Sequence, residues 1–299
     1  MLIDFDPSSK VWILFASPDG NQVVYEVDTL PPEGCCEANA VLYAFSPPYG
    51  EPRPLFGGSG LGLGMKFFGW HPNNREIAYW DGEDIMLLDV YTDKVTWAAS
   101  PQQWANLPYP PLVDGAAFSP DGQRLVVSLS PTGNMGEVWI ASTDGSEARK
   151  LLGGYRATSL TWSPDGQSIA FVGDGVEVMN PDGANRRIMD GISIGGVSPA
   201  WSPNSRYLAF TSDEEWGYAI RIADVTSGTS RVLIADTGRS DVLPKWSPGG
   251  SQLVFLGGWL NDETGATEVW IANLDGTGAR PLIIDGWEKR SGPVWLPAK

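Results

Sequence analysis

Apolar positions along the chain fall in short alternating or continuous runs, not at helical spacing. "RLVVSL", "SIAFVG", "YLAFTS", "QLVFLG" and "EIAYWD" are each followed by a second run: "EVWIAS", "VEVMN", "AIRIAD", "EVWIAN" and "IMLLDV", with "VLYAFS" earlier in the chain. Runs of this length, rich in β-branched and aromatic residues and bounded by turn residues, read as strands. A turn and a shorter run come next, as in "DGSEARKLL", "DGANRRIM", "SGTSRVLI", "DGTGARPLI" and "PYGEPRPLF". The pattern predicts four strands per repeat joined by hairpins. It predicts no helix, because no segment combines helical periodicity with caps.

One turn punctuates the repeat. Phe118-Ser119-Pro120-Asp121-Gly122, Trp162-Ser163-Pro164-Asp165-Gly166, Trp201-Ser202-Pro203-Asn204-Ser205 and Trp246-Ser247-Pro248-Gly249-Gly250 are its clear copies. Trp70-His71-Pro72-Asn73-Asn74 is an altered copy. Ser17-Pro18-Asp19-Gly20 follows Ala16 instead of an aromatic residue, and Trp295-Leu296-Pro297 is a truncated one. Successive aromatic positions from Trp70 to Trp295 lie 39 to 49 residues apart. That period suits propeller blades, and the strand content selects them over helical arrays. Pro presets φ for the turn, Asp or Asn tolerates the next position, Gly takes the positive φ and Ser bonds the turn backbone. The aromatic residue ends the first strand, where its ring packs between blades. These turns therefore read as fold devices.

Together these segments resemble the TolB-like, WD-like β-propeller repeats, whose pattern of W-S-P-D-G, strand, aromatic strand, D-G turn and R-x-L is matched by "SPAWSPNSRYLAF" and "EVWIANLDGTGARPL". The likeness is strong from Asp114 to Asp285, weaker from Gly60 to Ser100 and loosest before Gly58. It implies an all-β chain forming a propeller of four-stranded antiparallel blades, similar to the TolB C-terminal domain and to prolyl-oligopeptidase-type propellers. Residues 1–299 are expected to form one domain with six blades at about 10–58, 60–100, 104–153, 155–191, 196–237 and 239–286. Residues 292–297 are expected to be a closing strand that joins the two termini. A second register, aligning "FDPSSKVWILF" with "WSPNSRYLAF", gives seven blades instead. The resemblance also leans towards an extracytoplasmic location, although MLIDFDPSSK has no signal-peptide pattern.

Composition narrows the partners. A formal net charge of -16 with no basic run disfavours nucleic acid and anionic membrane surfaces. No apolar run approaches a membrane span. Cys35 and Cys36 are adjacent and cannot staple distant segments, so free thiols or a local vicinal disulfide are expected. "GSGLGLG" precedes strand-like sequence and reads as a link, not a nucleotide loop. The acidic loops "WDGED" and "GGWLNDETGATE" lack the spaced oxygen ligands of a calcium loop. No cofactor or metal is expected, and the chain is expected to be a monomer.

Candidate function falls on the loops that depart from the repeat. The blade links and middle hairpin loops carry Trp80, Trp104, Trp216, Trp259 and Trp287, with Tyr109 and Tyr155. They also carry Arg156, Arg239 and Arg290 near the start of three blade links, with Asp241 close by. Trp and Arg are the residue types that anchor interfaces. The ligand-binding set read from the sequence is Trp104, Tyr155, Arg156, Trp216, Arg239, Asp241, Trp259, Trp287 and Arg290. The plainer reading is that loop tryptophans cover core edges and loop arginines pair with acids such as Asp241 and Glu288.

Catalysis has little to rest on. The only histidine, His71, lies in the altered turn on the repetitive face, which leaves no imidazole for a Ser-His-Asp or Cys-His device and no histidine-rich metal site. The expectation is a non-catalytic binding or scaffolding propeller that recognises a protein, peptide or saccharide through its irregular loops. The alternatives are a carbohydrate-active enzyme using paired carboxylates and an accessory gating domain of a larger peptidase-like protein.

Overall fold

A computed structural model describes residues 10–29, 39–47, 50–56, 65–106, 110–130, 136–190, 199–215, 217–234, 239–259, 267–283 and 293. They form six four-stranded antiparallel sheets, the blades of a β-propeller. The first blade holds β1 (Lys10–Ala16), β2 (Val23–Thr29), β3 (Asn39–Phe45) and β4 (Arg53–Pro54). The second holds β5 (Lys66–Trp70), β6 (Glu76–Trp80), β7 (Ile85–Asp89) and β8 (Val95–Ala99). The third holds β9 (Leu112–Phe118), β10 (Arg124–Ser130), β11 (Glu137–Ser142) and β12 (Ala148–Gly153). The fourth holds β13 (Thr158–Trp162), β14 (Ile169–Val172), β15 (Val176–Met179) and β16 (Arg187–Asp190). The fifth holds β17 (Ala200–Trp201), β18 (Tyr207–Glu214), β19 (Gly217–Asp224) and β20 (Thr229–Ile234). The sixth holds β21 (Arg239–Trp246), β22 (Gln252–Trp259), β23 (Thr267–Asn273) and β24 (Arg280–Ile283). In every sheet the strands follow one another in chain order. Apart from Pro293, the expected closing strand at 292–297 lies outside the described residues, as do Cys35 and Cys36.

The expectation of no helix needs correcting. A five-residue helix, α1 (Pro101–Ala105), follows β8. Pro101 stands in its first turn, where its fixed φ suits a helix and its missing N–H costs nothing. Asn106 closes it in the left-handed conformation (φ 49°), its N–H reaching back to Gln102 and Gln103. At barely more than one turn, the helix leaves no periodicity for the sequence to show.

The chain divides into two compact units, Met1–Pro110 with Leu296–Lys299, and Pro111–Trp295. Within each unit the apolar cores lie between successive blades. In the first, Val24, Leu42 and Leu55 pack with Ile77, Tyr79 and Leu88. In the second, Val126, Val138 and Ile140 pack with Trp162, Ile169 and Phe171, and the arrangement recurs around Trp201 and around Trp246.

Two polar contacts repeat from blade to blade. The turn tryptophan does more than pack, because its indole N–H donates to a backbone carbonyl of the preceding blade. Trp70 bonds Phe15 at 3.3 Å, Trp162 bonds Ala117 at 3.1 Å, Trp201 bonds Thr161 at 3.4 Å and Trp246 bonds Ala200 at 2.9 Å. Each acceptor directly precedes the residue at the preceding blade's own turn-aromatic position. The second contact explains the R-x-L motif. Arg53, Arg149, Arg187 and Arg231, on the fourth strands, reach the carbonyls of Val90, Pro181, Val225 and Leu274 on the following blade. The Asp-Gly turn answers in the other direction. A Cβ on Gly276 (φ 84°) would stand 2.7 Å from the carbonyl oxygen of Leu233, and one on Gly183 (φ 84°) 3.3 Å from that of Leu151. Glycine is needed there for its φ and for the close approach.

The Ser-Pro-Asp-Gly turn is internally bonded. Ser17 donates to Asp19 at 2.6 Å and Ser163 to Asp165 at 2.6 Å. The residue five beyond each Ser donates its N–H to the serine hydroxyl, as Gln22, Arg124, Ser168, Tyr207 and Gln252 do. Asn74 and Ser205 stand where other copies have glycine and keep the left-handed φ, 59° and 60°. Each is held there by the preceding blade, whose Asp19 or Asp165 N–H bonds its side chain at 2.8 and 3.0 Å.

A pH dependence follows from these turns. The Ser17 hydroxyl holds the Asp19 carboxyl below its ordinary value, and the Ser119 hydroxyl does the same for Asp121. A carboxyl whose pKa is lowered by folding contributes stability that is complete above the unfolded value and is lost as pH falls through the folded one. Stability measured by urea denaturation is expected to decline as pH falls below about 4. Asp121→Asn should flatten that decline, and a slope unchanged by the substitution would contradict this role for the turn acids.

Candidate functional site

On the irregular-loop face, the third and fourth blades begin opposite their Ser-Pro-Asp-Gly turns. The inner strands are bulged there. On β9, Gly115 stands opposite Ser128 and Val113 opposite Leu129, so Asp114 is the extra residue. On β13 the register breaks between Thr158 and Thr161, and Ser159 takes a left-handed φ of 55°. A bulge twists a strand and re-aims the side chains beside it.

Tyr155 is anchored by five neighbours. Its N–H donates to the Gly136 carbonyl at 2.7 Å. Its phenol donates to Glu177 Oε1 and accepts the Asp174 N–H at 2.8 Å. Its ring meets Phe171 edge-on at 6.3 Å. The Arg186 guanidinium lies 3.9 Å from the ring centroid and pairs with Glu177 at 2.6 Å. The Glu177 side chain is fully buried. Burial first, then the bond to Glu177, pushes the Tyr155 phenol above its ordinary value, so it remains a donor. Two glycines make room: a Cβ on Gly173 would collide with the Tyr155 hydroxyl, and one on Gly136 would stand 3.0 Å from the Arg156 Cα.

Arg156 follows directly and is different in kind. Its side chain is 73% exposed, and its Nε lies 3.8 Å from Asp114 Oδ2. That oxygen also accepts the Ser130 hydroxyl.

The other sequence-predicted residues are spread along the chain. Trp104 is half-buried on α1, in the first compact unit. Arg239 and Trp259 stand directly opposite each other at the ends of β21 and β22. Asp241 is completely buried, opposite Gly257 on β22. Trp216, Trp287, Arg290 and Tyr109 lie outside the described residues. Trp80 is buried on β6, and its indole N–H has no hydrogen-bond partner among the described residues. The structure thus places Tyr155 beside Arg156 and pairs the backbones of Arg239 and Trp259 across two strands.

It also brings in residues that the sequence reading passed over: Asp114, Ser130, Glu177 and Arg186. Glu177 left one signal, a charged residue inside the otherwise apolar strand Val176–Met179. His71 occupies the serine position of its turn, and its Nδ1 accepts the Asn73 N–H at 3.2 Å. The one imidazole therefore serves the repeated turn. Among the described residues no group of three His, Cys, Asp or Glu side chains is placed to hold a metal ion.

No family model matches the chain. A Tol-Pal system protein TolB from Gluconobacter oxydans is 38% identical over 103 residues, which is 30% of this chain and 22% of that protein. A Bacillus subtilis peptidase, YuxL, is 27% identical over 195 residues, 62% of this chain and 28% of that protein. The chain thus spans less than a third of the curated relatives it matches. Among solved structures, an oligogalacturonate lyase in complex with manganese superposes with a TM-score of 0.68 at 15% identity, covering 92% of this chain and 79% of that one. Puromycin hydrolase gives 0.62 at 18% identity, covering 92% and 53%. TolB from Acinetobacter baumannii gives 0.55 at 16% identity, covering 93% and 81%. These matches overturn the expectation of a non-catalytic binding or scaffolding propeller. The same architecture recurs in peptidases and in a lyase, and the relative matched over the longer stretch is a peptidase. In fold, the chain is a TolB-like six-bladed β-propeller.

Proposed function

We propose that this propeller is the accessory, access-controlling domain of a peptidase-like protein, with the hydrolytic centre supplied by polypeptide outside these 299 residues. The observation that carries the reading is the 195-residue match to a peptidase, at a level of identity above that of the structural neighbours. The commitment of His71 to a repeat turn supports it, because the chain then has no imidazole for a Ser-His-Asp centre of its own. Rigid blades with short hairpins suit a part that admits small substrates and excludes folded ones. An extracytoplasmic location accords with the likeness to TolB.

The likeness to oligogalacturonate lyase favours a second reading, carbohydrate cleavage, and rests on fold alone. The test is an activity assay on native material purified through this chain from its source. The peptidase reading predicts cleavage of short chromogenic peptides and none of oligogalacturonate. Release of unsaturated uronates without peptide cleavage would contradict it and support the lyase reading.

A further inference from the structure

We infer that Arg156 is a carboxylate-binding residue, built to take the C-terminal carboxylate of a short peptide. The inference rests on the peptidase reading for the identity of the ligand and on geometry for the site.

Arg156 differs from the arginines that pair closely with acids, and from Arg149, Arg187 and Arg231, which bond backbone carbonyls of the next blade. Arg53, Arg75, Arg186, Arg206 and Arg221 each lie within 3.0 Å of a carboxylate oxygen. Arg156 lies 3.8 Å from Asp114, beyond hydrogen-bond distance. The Asp114 oxygen nearest it is already taken by the Ser130 hydroxyl. Asp114 therefore stands beside the guanidinium without closing its fork, and the side chain remains 73% exposed. A planar guanidinium with free donors matches a carboxylate through two parallel hydrogen bonds.

The backbone beneath it is held firmly. Tyr155 is tied to Gly136, Asp174 and the buried Glu177. Gly136 packs too closely on the Arg156 Cα to admit a side chain without a shift. Bulges on β9 and β13 set the strand ends on either side, and Ser159 holds a left-handed φ in a position with no glycine. The inner-strand bulge recurs on β1, β5 and β21, and Leu243 is left-handed at φ 56° on β21, so this conformation is one that the blade itself enforces. Tyr155 and Glu177 act as positioning residues, and holding the arginine's backbone in place lowers the ordering cost of binding.

Charge selects the ligand. The chain carries a net -16, which repels polyanions at long range. A peptide with one carboxylate meets less repulsion than an oligogalacturonate with one on every sugar.

The experiment uses the whole chain and calorimetric titration with N-acetyl-trialanine as free acid, the same peptide as C-terminal amide, and trigalacturonate. The free acid is expected to bind at least about tenfold more tightly than the amide, as loss of a charged hydrogen-bond pair implies. Arg156→Ala should abolish that preference with no change in the thermal midpoint, and Arg156→Lys should keep only part of it. Equal binding of acid and amide, a preference that survives Arg156→Ala, or no binding of either peptide overturns the inference. Arg156-dependent binding of trigalacturonate in preference to the peptide acid overturns the peptide assignment. Hydrolysis is not read, so the peptidase reading can fail while this site stands, and the reverse.

Discussion

Trp246→Ala is expected to destabilise the second compact unit by about 3–5 kcal/mol, the range for removing a large aromatic side chain from a core. The residue is only 8% exposed and belongs to the cluster formed with Ile220, Leu253 and Phe255. Its ring stacks on Tyr207 at 6.4 Å between centroids, and its indole N–H holds the Ala200 carbonyl at 2.9 Å. Alanine opens a cavity between two blades and leaves that carbonyl without the indole. Trp246→Phe separates the two effects. It keeps most of the ring and loses the N–H, so about 1 kcal/mol is expected from the bond, with a further cost for the smaller ring. Phe118 holds the equivalent position in the third blade, so the fold already carries a phenyl ring there. Urea denaturation of both variants measures the difference. Similar losses for Ala and Phe would mean that the hydrogen bond, not the packing, dominates.

Glu177→Ala should cost about 1–3 kcal/mol, because the Tyr155 hydroxyl loses its acceptor, while the Arg186 guanidinium, 34% exposed, can turn to water. Glu177 is fully buried and receives both Arg186, at 2.6 Å, and the Tyr155 hydroxyl. Glu177→Gln keeps an acceptor and the side-chain volume, so its loss should be smaller. A Glu177→Ala variant within 1 kcal/mol of the parent, on the scale typical of surface substitutions, would show that the network is not a structural anchor. The same denaturation series reads both substitutions.

The fold was legible because its signal is repeated. Each Ser-Pro-Asp-Gly copy marks the same strand end, and each Asp-Gly turn marks another. The aromatic residue before Ser ends β9, β13, β17 and β21, and Trp70 before His71 ends β5. The bonds between blades were not legible. That Trp201 donates to Thr161, or Arg231 to the Leu274 carbonyl, depends on how neighbouring sheets approach, which no local pattern encodes.

The candidate site was less legible still. Arg156 stood out because an arginine in an irregular link of an acidic chain is unusual. Tyr155 looked equally available, yet it is tied down by Glu177 and Asp174. Gly115 stands beside the bulge at Asp114, but no Gly or Pro announces the one at Ser159. Their side-chain partners are set by strand pairing, as Ser130 is with Asp114 and Val172 with Thr158. The sequence favours a binding propeller because a single histidine argues against catalysis within the chain, and it offers the accessory peptidase domain only as an alternative.

The most direct test of the peptidase reading is the dependence of hydrolysis on substrate length, measured as kcat/KM on native material containing this chain. A ladder of peptides with one common cleavable bond and increasing length would be used. An access-controlling propeller predicts high values for the shortest peptides and a steep fall beyond a threshold length. A flat profile across the ladder, or equal cleavage of a folded protein, would contradict it.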